Sequence, residues 1–584
     1  MAPETSSPER LTGDTVIIGR TEPEPTRQPT RWKINAPRVL LGFALLIIVV
    51  APVALAVISG SISIPHNDAW SYSRIAQEFG RTGEIHLLGW NRSALVGQIV
   101  VLGPLAASIT AQQIFVALLA GVAVLACYDL LAPSIGRLPA SVAALVLAVW
   151  PELGLLGTSF MSDVPALAAT LGCLALGRRA LTGSSLPLLA GALTVGLWGV
   201  AIREQVLAAP VAVLLAALTS SPTPVRRGAL SWRWSVLALG AAFGAGLLAF
   251  EWWRRSLAGD DPPAPLPDGP VLPDVLDVGV RGYFLLAIAV APAVLAVARP
   301  WRWSPAALLV AAGTGALALL VWHDYHLSGF LMSDYLLPSG PYPAVFRGER
   351  SMIGESVLRV LVLLAMVSGV LLAGLVVERG RRLPPLLRWF TLFTVGGLLA
   401  TRAAGQTVFG RYLIVLVPVL LLIVLARREE PSGSPERAES SGAGDRVRRG
   451  FPLGRAGVLA GIAAGTFLAA LSLFVTAYGS ALDAARWHAG ERLVAEGVPA
   501  AEIDAGFEWS GYYSPDGVEY APKGAVLLNW YSTKFARNPP CFAVASSAQS
   551  EPNWRLVRTV DYREYVVAGN ARLWVYETGH CAPR

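Results

Sequence analysis

The chain has 584 residues, of which 54% are hydrophobic and 15% charged, with a mean hydropathy of +0.52 and a net charge of +7. Soluble domains carry about a quarter charged residues, so the composition excludes an ordinary soluble protein and indicates a polytopic α-helical membrane protein. The positive balance fits Lys and Arg gathered in cytoplasmic loops. It does not fit nucleic-acid binding, since no basic stripe with interleaved aromatics occurs.

Residues 1–38 are polar and rich in Pro, Thr and Glu, and read as a disordered cytoplasmic tail. The following apolar run starts too late and is too long for a signal peptide. A span needs about 20 apolar residues. By that measure spans are expected near 39–60, 110–132, 139–157, 164–182, 186–202, 206–220, 234–252, 282–298, 304–322, 354–377, 387–401, 411–426 and 456–478, about thirteen in all. The apolar piece 94–108 reads as interfacial or re-entrant.

Basic clusters set the sidedness. Arg27, Arg31, Lys33 and Arg38 precede the first span. Arg178 with Arg179, Arg226 with Arg227, Arg299 with Arg302, and Arg379, Arg381 and Arg382 fall in alternate loops, as does the linker 427–455. With these in the cytoplasm, loops 61–109, 158–163, 253–281, 323–353 and 402–410 face outward, together with the tail after 479.

The first outer loop carries Asp68, in His66-Asn67-Asp68-Ala69-Trp70. Ala69, Tyr72, Ile75, Ala76 and Phe79 recur at helical spacing opposite Ser71, Arg74, Glu78 and Arg81, which predicts an interfacial amphipathic helix over 68–82. Asp68 opens that helix, where the dipole keeps a carboxylate ionised. A plain N-cap role is the alternative. A second acid, Asp163, follows the third run in Met161-Ser162-Asp163-Val164-Pro165. Carboxylates at the mouths of spans are functional candidates by default.

Arg203 interrupts an apolar stretch in Ile202-Arg203-Glu204-Gln205. Arg281, Arg347, Arg350, Arg402 and Arg411 also fall outside, against the usual bias. Each alone reads as a snorkelling residue, but together they fit an anionic ligand, because guanidinium forks grip phosphate. His323 and His326 have the spacing of a helix-borne metal pair but lack a third ligand, so interfacial polar residues are the simpler reading.

The C-terminal segment 479–584 alternates aromatic, β-prone runs with turns, which predicts a small outer α/β or α+β domain with an aromatic core. Cys541 and Cys581 lie in it and form one disulfide if that region is extracytoplasmic and the two come close; sequence leaves the pairing open. Cys127 and Cys173 sit in apolar runs and read as packing residues.

One carboxylate base with phosphate-gripping arginines suits transfer of a sugar from a lipid phosphate to a hydroxyl. The phosphate leaves as an anion and needs no proton, whereas glycoside hydrolysis uses paired carboxylates. At Asp68, at Trp150-Pro151 followed by Met161-Ser162-Asp163-Val164-Pro165-Ala166-Leu167, and at Ile202-Arg203-Glu204-Gln205, the chain resembles the GT-C superfamily of membrane glycosyltransferases. It looks closest to the family 39-like branch holding protein O-mannosyltransferases and the aminoarabinose transferase of lipid A. The resemblance covers 35–220 best.

It implies that Asp68 is the catalytic base, that Asp163 organises the site, and that transfer inverts the sugar without a metal. Relatives often carry two adjacent acids in the first loop. Here Asn67 and Ala69 flank Asp68, which weakens a metal role for the loop while leaving a divalent cation open. Arg203, with Arg411 and Arg350, is expected to hold the phosphate, and Tyr72 to line the substrate site. The expected partners are a polyprenyl-phosphate sugar donor, a glycan, lipid or protein acceptor, and membrane lipid. No cofactor is called for, and the expected location is the plasma membrane. A transporter or flippase is the competing reading, although that class predicts mid-membrane charges and paired halves.

Overall fold

A computed structural model describes residues 35–88, 96–219, 229–257, 271–332, 335–336, 353–380, 383–426, 454–514, 535 and 540–581. The tail before Asn35, the linker 427–453 and Arg350 lie outside the described residues. From Ala36 to Arg584 the chain forms one unit, mostly helical, with one small sheet near its end.

Seven described helices are long and apolar enough to cross a membrane: Ala36–Ser59, Ile109–Ile135, Asp163–Gly183, Trp232–Arg254, Pro305–Leu327, Glu355–Arg379 and Arg455–Ala495. Helices Leu272–Ala289 and Ala291–Val297 bend by 70° at their junction and make an eighth if counted as one span. The expected count of about thirteen is therefore not met by length among the described residues.

The physical reason lies in the breaks. Arg137–Ala148, Leu186–Val200, Glu204–Thr219 and Gly410–Leu425 are helical but have only 10–17 residues. At about 1.5 Å per residue they fall short of a hydrocarbon core of roughly 30 Å. Pro151 starts a separate short helix after Trp150, and Arg203 stands in extended backbone between two others. Pro385–Ala403 reaches 19 residues but carries Arg388 and Arg402. The piece expected to be interfacial or re-entrant is a short helical segment, Val96–Ala107.

Span Asp163–Gly183 is the most enclosed, with 72% of its apolar window buried. It packs against Ile109–Ile135, Leu186–Val200 and Ala208–Thr219. That position carries its first residue, Asp163, into the interior. Small residues allow such close approach in lipid: a side chain at Gly461 would strike Pro292 and Ala296.

The long helix Arg455–Ala495 departs from expectation. The last span was expected to end near 478, with a separate domain following, yet the helix runs on to Ala495, 41 residues in all. Residues 475–487 are buried on every side, so protein surrounds this stretch of the helix and tertiary contacts sustain it.

Among the described residues four strands follow: β1 (Ile503–Asp504), β2 (Phe542–Ala545), β3 (Arg555–Tyr562) and β4 (Ala571–Glu577). They pair in the order β1-β2-β4-β3, with β1 and β2 parallel and the other pairs antiparallel. Cys541 and Cys581 form a disulfide at the adjoining ends of β2 and β4, with Cα atoms 4.5 Å apart. The aromatic run is core: Trp509 is fully buried and packs with Trp487 and Tyr513.

Candidate functional site

The site is built on the loop joining the first span to the helix Ala69–Thr82. Gly60 ends the span in a left-handed conformation that only glycine adopts freely (φ 83°). The loop is then pinned by buried groups. Gln113 Nε2 donates to the carbonyl of Ile64 at 2.6 Å, and Ser159 Oγ donates to that of His66 at 3.0 Å. The Asn67 N–H donates to Glu508 Oε1 at 3.0 Å. Asn67 itself is left-handed (φ 53°), a conformation asparagine tolerates better than most residues.

Asp68 therefore arrives at the head of its helix in a fixed place. Its side chain makes no capping bond to that helix, so the N-cap alternative does not account for it. Its Oδ2 lies 3.8 Å from Arg411 Nη2, and the side chain keeps 22% exposure.

The helix is less amphipathic in practice than the spacing predicts. Ser71 and Ser73, on or beside the expected polar face, are buried. Ser73 Oγ donates to Gln112 Oε1 at 2.7 Å. Arg74 donates to the carbonyls of Gly511 and Ser514, and Trp70 packs edge-on against Phe507 and Phe535. The C-terminal segment covers a face that sequence spacing assigned to water.

Asp163, from the enclosed span, joins Asp68 through one shared arginine, Arg411. Arg203 Nη1 donates to Asp163 Oδ1 at 2.5 Å, and Arg411 Nε lies 3.3 Å from the same oxygen. Arg411 is 7% exposed and Asp163 4%, so both charges are nearly dry and their attraction is correspondingly strong. The Tyr412 ring lies under Arg203 at 4.0 Å and the Phe409 ring beside Arg411 at 4.3 Å, which shields the cations further. Gly410 lets this strand of chain approach closely, since a side chain there would collide with the Met332 carbonyl.

Tyr72 stands one helical turn after Asp68 and is buried beside the same charges. Burial, and then the Asp68 carboxylate, push its phenol above the ordinary value, so it stays neutral.

A cleft of about 540 Å3, open solvent space included, runs from these charges between helices. Asp163, Arg203 and Arg411 line its polar end, and Phe390, Phe393, Leu398, Ile414 and Val415 its apolar walls. Two buried polar atoms on its lining, Asp163 Oδ2 and Thr394 Oγ1, have no hydrogen-bond partner among the described residues.

Of the residues expected from sequence, Asp68, Asp163, Arg203, Arg411 and Tyr72 come together, and Arg350 lies outside the described residues. His323 and His326 do not share a regular helix face, because His326 breaks the helix at φ 51°. No group of three or more metal-ligating side chains occurs among the described residues.

Sequence reasoning missed a second buried cluster. His66 Nδ1 meets Asp483 Oδ2 at 2.5 Å, Asp483 Oδ1 pairs with Arg486 Nη2 at 2.6 Å, and Arg486 Nη1 meets Glu508 Oε2 at 2.7 Å. All four side chains are at most 4% exposed. The available signal was an acid and an arginine three residues apart in the extension of an apolar helix. Tyr335 was missed as well: its hydroxyl accepts from Asn67 Nδ2 at 2.8 Å and from Arg411 Nη1 at 3.4 Å.

No protein-family model matches the chain, and no curated protein matches it. Among solved structures the chain is similar to ArnT from Cupriavidus metallidurans in the apo state, with 12% sequence identity over 94% of this chain and 99% of that one and a TM-score of 0.35.

Proposed function

We propose that the chain is a membrane glycosyltransferase that moves a sugar from a polyprenyl-phosphate donor to an acceptor hydroxyl on the extracytoplasmic face of the cell membrane. The observation that carries this reading is the cleft with two arginines and a carboxylate at one end and apolar walls behind them. A phosphate ester on a long hydrocarbon chain matches both ends at once. Guanidinium groups held dry are suited to receive a developing phosphate anion.

In the proposed reaction Asp68 accepts the proton of the acceptor hydroxyl as its oxygen bonds to the anomeric carbon. The bond from that carbon to the phosphate oxygen breaks on the opposite side, inverting the centre. Its electron pair leaves on the phosphate, which Arg203 and Arg411 hold. Asp163 keeps both guanidinium groups aimed, and its second oxygen is available to a donor hydroxyl. Tyr72, a neutral phenol beside Asp68, lines the acceptor side. The reading needs no metal, since the arginines supply the positive charge.

The extracytoplasmic face is supported by the alternation of basic loops and by a disulfide in the C-terminal domain, which suits an oxidising compartment. The acceptor class is a glycan, lipid or protein hydroxyl.

Transfer of labelled sugar from a panel of polyprenyl-phosphate sugars, in membranes carrying wild type or Asp68→Asn at matched expression, tests the reading. Consumption of a donor that is lost in the variant is the expected result. Consumption unaffected by the variant discards the assigned base, and no consumption of any donor favours a transporter.

A further inference from the structure

The two buried charge clusters are not independent. Arg486, itself paired with Asp483, holds Glu508, Glu508 accepts from the Asn67 N–H, and the Asn67 side chain donates to Tyr335. The same Tyr335 hydroxyl accepts from Arg411, which faces both Asp68 and Asp163. A continuous path of polar contacts thus leads from the C-terminal domain to the two groups that would perform the chemistry.

Asn67 is the joint in that path. A left-handed residue turns its N–H and its side chain into directions that a helical or extended residue at the same place would not offer. Here the backbone addresses Glu508, 441 positions later in the chain, and the side chain addresses Tyr335, 268 positions later. The next residue is Asp68. An aspartate at this position would lack the amide donor and would set a second negative charge beside Asp68.

We propose that Asn67 is a positioning residue: anchored to the C-terminal domain through Glu508, it uses Tyr335 to hold the Asp68 carboxylate in register with the Arg411 guanidinium. This rests on the assignment of Asp68 as base and Arg411 as phosphate ligand. It gives the C-terminal domain a part in catalysis that requires no contact with substrate.

The test uses the full chain in lipid nanodiscs and compares wild type, Asn67→Gly, Tyr335→Phe, the double variant and Glu508→Met. Glycine keeps the left-handed backbone and removes only the amide, so Asn67→Gly isolates the side-chain link. A neutral hydrogen bond corresponds to a factor of roughly ten in rate. Asn67→Gly is expected to lower kcat about tenfold, with the donor KM held within about twofold and an unchanged melting temperature. The double variant is expected to lose no more kcat/KM than Tyr335→Phe alone, because both substitutions break one link.

Losses that multiply, or a raised KM with kcat intact, overturn the proposal. Hydrogen exchange over residues 64–72 supplies a second reading that needs no donor. Faster exchange there in Glu508→Met, which keeps the volume but has no acceptor for the Asn67 N–H, is expected, and unchanged exchange overturns the anchor whatever the activity. If exchange quickens but no protein consumes any donor, the anchor stands and the transferase reading fails.

Discussion

Arg203 and Asp163, 40 residues apart in sequence, meet at 2.5 Å at the mouth of an apolar cleft, with Asp163 only 4% exposed. Arg411 Nε lies 3.3 Å from the same oxygen, so one carboxylate oxygen gathers both guanidinium groups. Asp163 is the carboxylate both guanidinium groups share on the cleft lining, and Asp68, 3.8 Å from Arg411 Nη2, is the second negative charge beside them.

Asp163→Asn removes the counter-charge from two nearly dry arginines. Breaking a buried ion pair by deleting one partner costs about 3–5 kcal/mol. The variant is therefore expected to melt markedly earlier than wild type and to lose transfer. Thermal unfolding in detergent checks this, and an unshifted melting point refutes it.

Asp68→Asn and Asp68→Glu separate charge from placement. A positioned general base contributes roughly a hundred- to ten-thousand-fold in rate, so Asn is expected to lose that much turnover. Glu keeps the base one methylene out of place and is expected to fall between Asn and wild type. Both should melt near wild type, because the Asp68 contact to Arg411 is long at 3.8 Å and partly solvated.

Arg411→Lys keeps the charge but loses the planar fork that faces Asp163, Tyr335 and Phe409. Charge-assisted hydrogen bonds are worth about 1.5–3 kcal/mol. The donor KM is expected to rise by about ten- to a hundredfold, with a smaller fall in kcat. Steady-state kinetics at varied donor concentration measures the split.

Glu508 gives a pH signature. Burial pushes its carboxyl above the ordinary value of 4.5, and the Arg486 guanidinium only partly opposes this. A raised folded pKa contributes stability that is complete below the unfolded pKa and is lost as pH rises through the folded one. The wild type is thus expected to lose stability relative to Glu508→Gln as pH rises above 4.5 toward neutrality. Melting temperatures of the two proteins across that range should diverge, and parallel curves refute the assignment.

Sidedness can be read chemically. Val567 is 71% exposed, while the free cysteines Cys127 and Cys173 are buried. Val567→Cys is expected to react with a membrane-impermeant maleimide in intact cells. Labelling only after lysis would invert the proposed orientation.

The candidate site was legible in sequence to the extent that charge in an apolar chain is conspicuous. Asp68, Asp163, Arg203 and Arg411 stand out against hydrocarbon, and their cost there is what marks them. Tyr335, Glu508 and Asn67 were not legible, because polar residues in a soluble-looking segment carry no such cost until the fold buries them. The break at Arg203 was legible as a charge between two apolar runs, but the one at Pro151 was not, because it interrupts a helix without changing the apolar run around it. The burial of Ser71 was equally hidden, since periodicity cannot reveal that a segment more than four hundred residues later will cover the polar face.

The helix Arg455–Ala495 has no break over its 41 residues. At about 1.5 Å per residue it is roughly twice as long as a hydrocarbon core is thick. It therefore works as a splint: one unbroken element runs from the apolar bundle to the four strands it touches, so sheet and bundle are joined without a hinge in that helix.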